Sequence, residues 1–403
     1  MLELKDFEAA ADRLKNVIHN IPLSTSCTFS AMTGAEVYLK YENQQKTGSF
    51  KVRGAYNKIM KRYAEGNLHA VVASSAGNHA QGVAFAASSV GVKSTIVMPR
   101  STPIAKVSAT QGYGAEVVLA GNIYDEAYAR ACEICEETGA EFIHPFDDED
   151  VMAGQGTIAL EILRDLPFVD MIFVPAGGGG LISGIAACAK QINPRIQVIG
   201  VQAEGAPAIA NSFRAGTLTP SDTVRTIADG IAVKTPGEHT FQYIQQYVDR
   251  VVTVSDDEIA SAVLLLLERA KQVVETSGAA SLAAVLNNKV DVKGKKVVCV
   301  LSGGNIDVSF IHKIVEKGLV TRCRHLKFST VMPDAPGALE RFAHLVAEQN
   351  ANIIRFQHDR VQADLDIGEA IIQVVCEVGG VEHAKRLLDE MSRQGYQVFT
   401  SQI

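Results

Sequence analysis

Short apolar runs alternate with segments of helical periodicity along most of the chain. The runs cover residues 70–73, 94–98, 116–119, 171–174, 196–201 and 296–301. Nearly continuous apolar strands with helices between them indicate a parallel sheet that is covered on both faces. This pattern predicts doubly wound α/β architecture. Ligands in such sheets bind beyond the carboxyl ends of strands, so the loops after Ala73, Val174 and Leu301 are the places where we expect a site.

The pattern changes around Gly318. Residues 318–325 belong to a short, basic stretch without periodicity, which we interpret as a linker. The next segments predict strand, helix, strand, strand, helix and strand in turn, over residues 326–334, 336–350, 351–360, 369–378, 380–395 and 396–403. This β-α-β-β-α-β order is the split βαβ arrangement, and about eighty residues suffice for a separate domain.

Composition and charge exclude several classes of protein. The chain has 403 residues, of which 47% are hydrophobic and 21% charged, as in ordinary globular proteins. Its net charge of −7 leaves no basic surplus for phosphate backbones, so we expect no nucleic-acid partner. No apolar run approaches the ~20 residues of a membrane helix, and residues 1–15 lack a signal-peptide core. We therefore expect a cytoplasmic protein without a membrane partner.

Seven cysteines are scattered along the chain, and Cys132 and Cys135 form a lone C-x-x-C inside a predicted helix. A zinc site would need a second pair of ligands close by in the sequence, and none is visible. We interpret the cysteines as buried or inert thiols and expect no firm metal site.

Lys51 stands in the segment Ser-Phe-Lys-Val-Arg-Gly, between a polar turn and a predicted helix with apolar residues at Ala55 and Ile59. A lysine at a helix start is ordinarily solvated, because the helix dipole does not favour a cation there. A lysine whose ammonium is desolvated can instead form an imine with a carbonyl cofactor. Phe50 is then placed to cover one face of a flat ring.

Residues 74–82, Ser-Ser-Ala-Gly-Asn-His-Ala-Gln-Gly, follow a predicted strand and open a helix. Small residues there let main-chain amides approach an anion such as a substrate carboxylate, and the helix dipole favours that anion. The side chain of Asn78 can donate a hydrogen bond to a phenolate oxygen. The alternative is an ordinary strand-to-helix turn with Ser75 as its N-cap.

Four consecutive glycines at 177–180 lie between a strand and a helix, which is typical of a phosphate cradle made of bare amides. A P-loop would need Gly-Lys-Ser/Thr, which is absent. A dinucleotide fingerprint would need glycine or alanine where Ser183 stands, although Glu204 lies where a ribose-binding acid is expected. Ser302 follows the strand at 296–301, where its hydroxyl either caps a turn or hydrogen-bonds a neutral ring nitrogen.

These four segments together contain the parts of a pyridoxal-phosphate site, and the chain resembles the fold-type-II pyridoxal-phosphate enzymes, specifically the threonine/serine dehydratases. The motifs that carry the resemblance lie at residues 49–54, 75–82, 153–157, 177–181 and 275–281. The resemblance implies two doubly wound subdomains of the tryptophan-synthase-β-like type within a catalytic domain at residues 1–320, the smaller subdomain at about 40–145 being inserted in the larger. Residues 326–403, with Asp-Ala-Pro-Gly at 334–337, resemble an ACT regulatory domain.

The resemblance also implies roles for individual residues. Lys51 would carry the cofactor and move the α-proton, Phe50 would lie beside the ring, and Ser302 would face the pyridine nitrogen. The phosphate would be held by Gly177, Gly178, Gly179, Gly180 and Leu181, the cofactor O3′ by Asn78, and the substrate carboxylate by Ser75, Asn78 and His79. The implied reaction is elimination of water from L-threonine, giving 2-oxobutanoate and ammonia, with L-serine as a second substrate.

Two other functions stay open: another enzyme of the same fold, such as serine racemase or a β-replacing synthase, and a non-catalytic amino-acid sensor. Racemases of this group have serine where Ala76 stands, and alanine has no proton to move. In the stretch that resembles the racemase divalent-cation site, Glu204 and Ala208 match, but Ala210 replaces an acid. A monovalent cation on backbone carbonyls remains an option.

The ACT resemblance implies an amino-acid effector, isoleucine or valine, close to Asp334, Pro336 and Gly337. Proline fixes the chain there, and glycine allows a close approach before the helix that starts near Ala338, whose free amides can receive a carboxylate. The alternative is a purely structural dimerisation module. We expect a homodimer or a homotetramer.

Overall fold

The computed structural model describes residues 1–66, 68–361 and 366–400. It divides into two compact units, Met1–Ile306 and Asp307–Ile403. Every helix in the described ranges is too short or too polar to span a membrane.

The first unit contains helices and strands in alternation. Its helices are α1 (Leu4–Leu14), α2 (Cys27–Thr33), α3 (Lys51–Ala64), α4 (Asn78–Ser89), α5 (Ile104–Gly112), α6 (Tyr124–Thr138), α7 (Glu149–Asp165), α8 (Gly180–Ile192), α9 (Ala208–Ala215), α10 (Glu238–Tyr247), α11 (Asp256–Leu265) and α12 (Thr276–Leu286). Its strands are β1 (Ser24–Thr25), β2 (Glu36–Tyr41), β3 (Ala70–Ser74), β4 (Lys93–Met98), β5 (Glu116–Leu119), β6 (Glu141–Phe142), β7 (Met171–Pro175), β8 (Gln197–Ala203), β9 (Arg250–Val254) and β10 (Lys296–Leu301). Short 3-10 turns occupy Glu42–Gln44 and Asp229–Ile231, and a π-helical turn occupies Leu266–Ala270.

The strands of the first unit form two sheets, which confirms the predicted fold class. The larger sheet has the order β1-β2-β10-β7-β8-β9 and is parallel except for β1. The smaller sheet has the order β5-β4-β3-β6 and is entirely parallel. Central strands are apolar because both faces are covered: all of β7 is buried, and so are five of the six residues of β10. The three loops singled out from the sequence follow β3, β7 and β10.

In its described residues, the second unit is an antiparallel sheet with three helices. Its elements are α13 (Val308–Thr321), β11 (His325–Pro333), α14 (Ala338–Glu348), β12 (Asn352–Asp359), β13 (Glu369–Glu377), α15 (Val381–Arg393) and β14 (Gln397–Phe399). The strand order is β12-β13-β11-β14, and α14 and α15 contribute Phe342, Leu345, Leu387 and Met391 to a core of its own. From β11 onward the predicted β-α-β-β-α-β order is confirmed, except that residues 401–403 lie outside the described residues.

The stretch predicted as a linker begins inside a helix in the structure. Residues 318–321 form the last turn of α13, and a short turn leads to β11 at His325. Apolar residues at Ile311, Ile314 and Leu319 give α13 an apolar face, with Ile314 buried. Basic residues just beyond the helix look unpatterned in the sequence, but cations are favoured at a helix C-terminus.

A buried network of four charges fixes the start of α3. Arg53, two residues after Lys51, donates two hydrogen bonds of 2.8 Å to Glu42. It also donates to Glu161 on α7 at 2.7 and 2.9 Å, and Glu161 pairs with Lys40 on β2. The side chains of Arg53, Glu42 and Lys40 are fully buried, and the two positive charges balance the two negative ones.

We predict that Arg53→Met lowers the free energy of unfolding by about 3–5 kcal/mol, because it leaves Glu42 charged and unpaired in the core. Chemical denaturation followed by circular dichroism measures this loss. Arg62→Met is the control, because Arg62 lies near the end of the same helix and its pairs with Glu65 and Glu141 are partly exposed; it should cost less than about 1 kcal/mol. A similar small effect for both variants would show that the buried network does not stabilise the unit.

Candidate active site

A cavity of about 830 Å³ lies in the first unit, where the loops after β3, β7 and β10 meet the start of α3. This volume lies within the range of small-molecule sites. Residues from both sheets line it, and they include every residue to which the resemblance gives a cofactor-binding or substrate-binding role: Phe50, Lys51, Ser75, Asn78, His79, Gly177, Gly178, Gly179, Gly180, Leu181 and Ser302. The structure therefore brings these residues together in one cavity.

Lys51 is the first residue of α3, and its amine is held at the floor of the cavity. Nζ donates a hydrogen bond of 2.7 Å to the carbonyl of Pro145 and lies 5.2 Å from the centroid of the Phe50 ring. Burial lowers the pKa of Lys51 to about 8, although the negative charge of Glu275 opposes the shift. An amine with this pKa is deprotonated far more often than a solvated lysine, as a nucleophile must be.

The loop after β3 forms a small turn in front of α4. The hydroxyl of Ser75 accepts a hydrogen bond of 3.2 Å from the amide of Gly77, and Gly77 is the N-cap of α4. The amides of Asn78 and His79 stand in the first turn of this helix, where amides lack a partner within the helix. The turn thus presents open amides and a positive dipole end to the cavity.

Two neutral histidines flank Lys51. His79 Nε2 donates to the carbonyl of Ile143 at 2.8 Å, which leaves its Nδ1 unprotonated. His144 Nδ1 accepts from the amides of Phe146 and Asp147 at 3.2 and 2.7 Å, which puts its proton on Nε2. Burial and then the Lys51 charge lower the pKa of His79 to about 3. Burial is also the largest cause that lowers the pKa of His144 to about 4.

The glycine turn between β7 and α8 has no room for side chains. A Cβ on Gly178 would lie 2.4 Å from the ring of Phe146, and one on Gly180 would lie 2.8 Å from the carbonyl oxygen of Phe146. Gly179 has φ = +103°, and a Cβ there would lie 2.7 Å from Thr240 Oγ1. Glycine is therefore required both by backbone conformation and by close packing.

The same turn exposes amides that fit a phosphate group. Within the described ranges, the amides of Gly177, Gly178 and Gly179 donate to no protein acceptor. The carbonyl of Gly178 accepts from the Thr240 hydroxyl at 2.7 Å and from the Gly237 amide at 3.2 Å, so the turn is held with its amides free. Bare amides at the start of an apolar helix make an anion cradle.

Ser302 lies directly after β10, where the main chain is hydrogen-bonded to the segment that precedes Lys51. Its carbonyl accepts a hydrogen bond of 3.1 Å from the amide of Phe50, and the amide of Gly304 donates to the Gly48 carbonyl at 2.9 Å. The strand end therefore holds residues 48–50 against the cavity. Ser302 is buried and lines the cavity from the larger sheet.

Several buried polar atoms along the cavity have no hydrogen-bond partner among the residues that the structure describes. They are Ser74 Oγ, Asn78 Oδ1, His79 Nδ1 and Ser277 Oγ. Leaving such atoms unsatisfied is costly, so these four atoms favour a polar ligand in the cavity. The Lys51 amine, the anion cradle and a cavity of about 830 Å³ lined by Phe50 and Ser302 fit pyridoxal phosphate.

The sequence interpretation missed several residues that line the cavity. Glu275, Pro145 and Phe146 were not assigned roles, and neither was His144. Glu275 opens the Glu-Thr-Ser-Gly-Ala-Ala-Ser motif at 275–281, and that motif was the signal available in the sequence. The other three depend on contacts with Lys51 and the glycine turn that only folding creates.

Comparisons with known proteins agree with this geometry. The model of the family described as "Pyridoxal-phosphate dependent enzyme" matches residues 14–303. An L-threonine ammonia-lyase of Thermotoga maritima is 50% identical over 398 residues, which is 99% of each chain. The processed form of threonine deaminase isoform 2 from Solanum lycopersicum is 38% identical, with a TM-score of 0.74 over 78% of this chain and 94% of that chain. Maize serine racemase is 36% identical, with a TM-score of 0.74 over 79% of this chain and 98% of that chain.

We predict that Gly178→Ala weakens binding of pyridoxal phosphate by at least about tenfold, because the added methyl group overlaps the Phe146 ring and displaces the cradle. Equilibrium dialysis with the full chain measures the dissociation constant. Gly112→Ala, at a helical position with open space around it, is the control and should bind as the unchanged chain does. Equal affinity in both variants would contradict the cradle assignment.

Proposed function

Given that this chain belongs to the pyridoxal-phosphate dependent enzymes, we propose that it is an L-threonine ammonia-lyase. It removes water from L-threonine to give 2-oxobutanoate and ammonia, and it acts on L-serine in the same way. The carrying observation is that Lys51 Nζ and the glycine turn open into one cavity of about 830 Å³. The full-length relative named L-threonine ammonia-lyase supports the choice of substrate.

Different residues of the cavity would hold different parts of the cofactor. Lys51 would attach it, Phe50 would lie beside its ring, Asn78 would bind its O3′ and Ser302 would face the pyridine nitrogen. The phosphate would be held by the amides of Gly177, Gly178, Gly179, Gly180 and Leu181. When bound, the cofactor withdraws electrons from the substrate's α-carbon and so weakens the bond to the α-proton.

Lys51 is the base for the α-proton. Its pKa of about 8 lets the amine accept and return a proton near neutral pH, where proton transfer is most efficient. Because both flanking histidines are neutral, neither competes for the proton nor adds a second positive charge. The Pro145 carbonyl accepts a hydrogen bond of 2.7 Å from this amine and so orients it.

The substrate carboxylate is held at the first turn of α4 by Ser75, Asn78 and His79. His79 takes part through its amide, because its Nε2 is committed to Ile143 and its Nδ1 carries only a lone pair, which a carboxylate repels. The helix dipole and the Ser75 hydroxyl complete the anion site. The carboxylate therefore lies on the α4 side of the Lys51 amine.

Two alternatives are weaker. In a racemase of this group a serine stands at the position of Ala76, which lines the cavity and has no proton to donate. A non-catalytic sensor would not need a desolvated lysine beside a glycine cradle. The described residues contain no cluster of three or more His, Cys, Asp or Glu side chains that would hold a divalent metal. A monovalent cation on backbone carbonyls stays a prediction.

We predict that the unchanged enzyme releases 2-oxobutanoate and ammonia from L-threonine, and that Lys51→Ala loses at least about a thousandfold in kcat because attachment and proton transfer are both lost. Borohydride reduction and mass spectrometry should find the cofactor on Lys51. Lys61→Ala, on the exposed side of α3, is the control for activity. Racemised serine forming as fast as pyruvate, by chiral chromatography, would favour the racemase instead.

The second unit is an effector-binding ACT domain in this proposal. Gly337 has φ = +80° and is the N-cap of α14, and the amide of Asp334 donates to the Gly368 carbonyl at 2.8 Å. Pro336 fixes the chain between them, and the Asp334 carboxylate pairs with Arg360 at 3.2 Å. An amino-acid effector would bind its carboxylate at the α14 amides. We also propose that the protein is a homodimer or a homotetramer in the cytoplasm.

We predict that L-isoleucine or L-valine shifts the threonine saturation curve by about 5- to 150-fold in apparent affinity, the usual range of allosteric coupling. Steady-state kinetics on the full chain, with and without each amino acid, measure the shift. L-Alanine serves as the control ligand. If calorimetry detects no binding of isoleucine or valine to the full chain, the second unit is structural instead.

A further inference from the structure

Glu275 is a buried carboxyl group that none of the roles above uses. It directly precedes α12, and only 5% of it is exposed. Both carboxyl oxygens lie 3.0 Å from Asn78 Nδ2, and one also accepts the amide of Asn305 at 3.1 Å. Its backbone amide donates to the Gly303 carbonyl at 2.9 Å, which fixes the residue beside Ser302.

The surroundings leave space for this carboxylate. A Cβ on Gly303 would lie 2.5 Å from Glu275 Oε1, so a side chain at this position would displace the carboxylate. Asn78 begins α4, which packs with the smaller sheet, whereas Glu275 and Asn305 adjoin α12 and β10 of the larger one. The carboxylate therefore bridges the two halves of the cavity wall.

The geometry constrains the amide of Asn78. Since both oxygens are 3.0 Å from Nδ2, a single hydrogen points between them, and the second Nδ2 hydrogen remains free. Asn78 Oδ1 is buried and has no partner among the described residues. If the amide were turned over, Oδ1 would face the carboxylate and repel it. Glu275 thus allows only one orientation of this amide.

We propose that Glu275 is a positioning residue whose carboxylate holds the Asn78 amide so that its second hydrogen donates to the group bound at Lys51. This role rests on the proposed function, in which Asn78 binds the cofactor O3′. A negative charge behind the donor also acts on that oxygen through the amide, so the charge of Glu275 influences the protonation of the bound cofactor.

The charge of Glu275 responds to pH. Burial raises the pKa of Glu275 to about 7, and the nearby charge of Asp229 raises it further, while hydrogen bonds from Asn78 and Asn305 and the charge of Lys106 oppose the shift. The Lys51 amine also interacts with this carboxylate, because the negative charge of Glu275 raises the pKa of Lys51. As pH falls through 7, protonation removes one of the two acceptors and the charge. The hold on Asn78 therefore weakens below neutral pH.

The test compares Glu275→Gln with the unchanged holoenzyme. The absorbance spectrum of the bound cofactor, recorded from pH 6 to 8.5 without substrate, should change with pH near 7 in the unchanged protein and much less in Glu275→Gln. Glu258→Gln is the matched control, because Glu258 also accepts a backbone amide near a helix start but lies outside the cavity. It should keep the original pH dependence. Identical spectra for Glu275→Gln and the unchanged enzyme would overturn the proposal.

A double-mutant cycle with Asn78→Ala shows whether Glu275 acts through Asn78. The readout is the dissociation constant of pyridoxal phosphate by equilibrium dialysis. Glu275→Ala should weaken binding about tenfold alone and much less in the Asn78→Ala background. Additive effects would overturn the positioning role. If these results hold but L-threonine is not turned over, the proposed function fails and the role of Glu275 stands.

Discussion

The pairing of Arg53 with Glu42 and Glu161 is the interaction on which the arrangement of the cavity depends. Arg53 lies two residues after Lys51, so its contacts with these two carboxylates fix the first turn of α3 against α7 and against the 3-10 turn that follows β2. Four charges removed from water are tolerable only when each is paired, and a small displacement of α3 would leave one unpaired. Lys51 begins the same turn, so its backbone is held in place as well. The hydrogen bond from its amine to the Pro145 carbonyl then orients only the side chain.

Close packing sets the second constraint, at the opposite end of the cavity. Phe146 fills the space that side chains on Gly178 and Gly180 would occupy, and Thr240 does the same at Gly179. The glycine turn is thus rigid despite its composition, and its amides stay open because the surrounding hydrogen bonds all go to its carbonyls. Lys51 and the turn are coupled through residues 145 and 146, which contact one each. A ligand that spans both ends meets a preformed site, which reduces the entropy lost on binding.

Some polar atoms along the cavity wall have no hydrogen-bond partner among the described residues, and each of them lowers the stability of the fold. The apolar strands β7 and β10 bury almost every side chain, while Asn78, His79 and Ser277 keep buried polar atoms that have no partner in the described part of the chain. Such conflicts between burial and hydrogen bonding concentrate at functional sites. The second unit has a core of its own around Phe342 and Leu387.

The sequence by itself determined the parallel sheets, the β-α-β-β-α-β order of the C-terminal part and the glycine turn, because these depend on local periodicity and on residues adjacent in the chain. It also identified Lys51, Asn78 and Ser302, since each stands in a short motif at a strand or helix end. Tertiary structure alone decided that Glu275 contacts Asn78, which lies 197 positions away in the sequence, and that Phe146 packs on the glycines of the turn. It also decided the protonated nitrogen of His144, which depends on two amides of the following turn. Periodicity shows which face of an element is buried, but distances between distant segments and the burial of charge arise only when the elements pack.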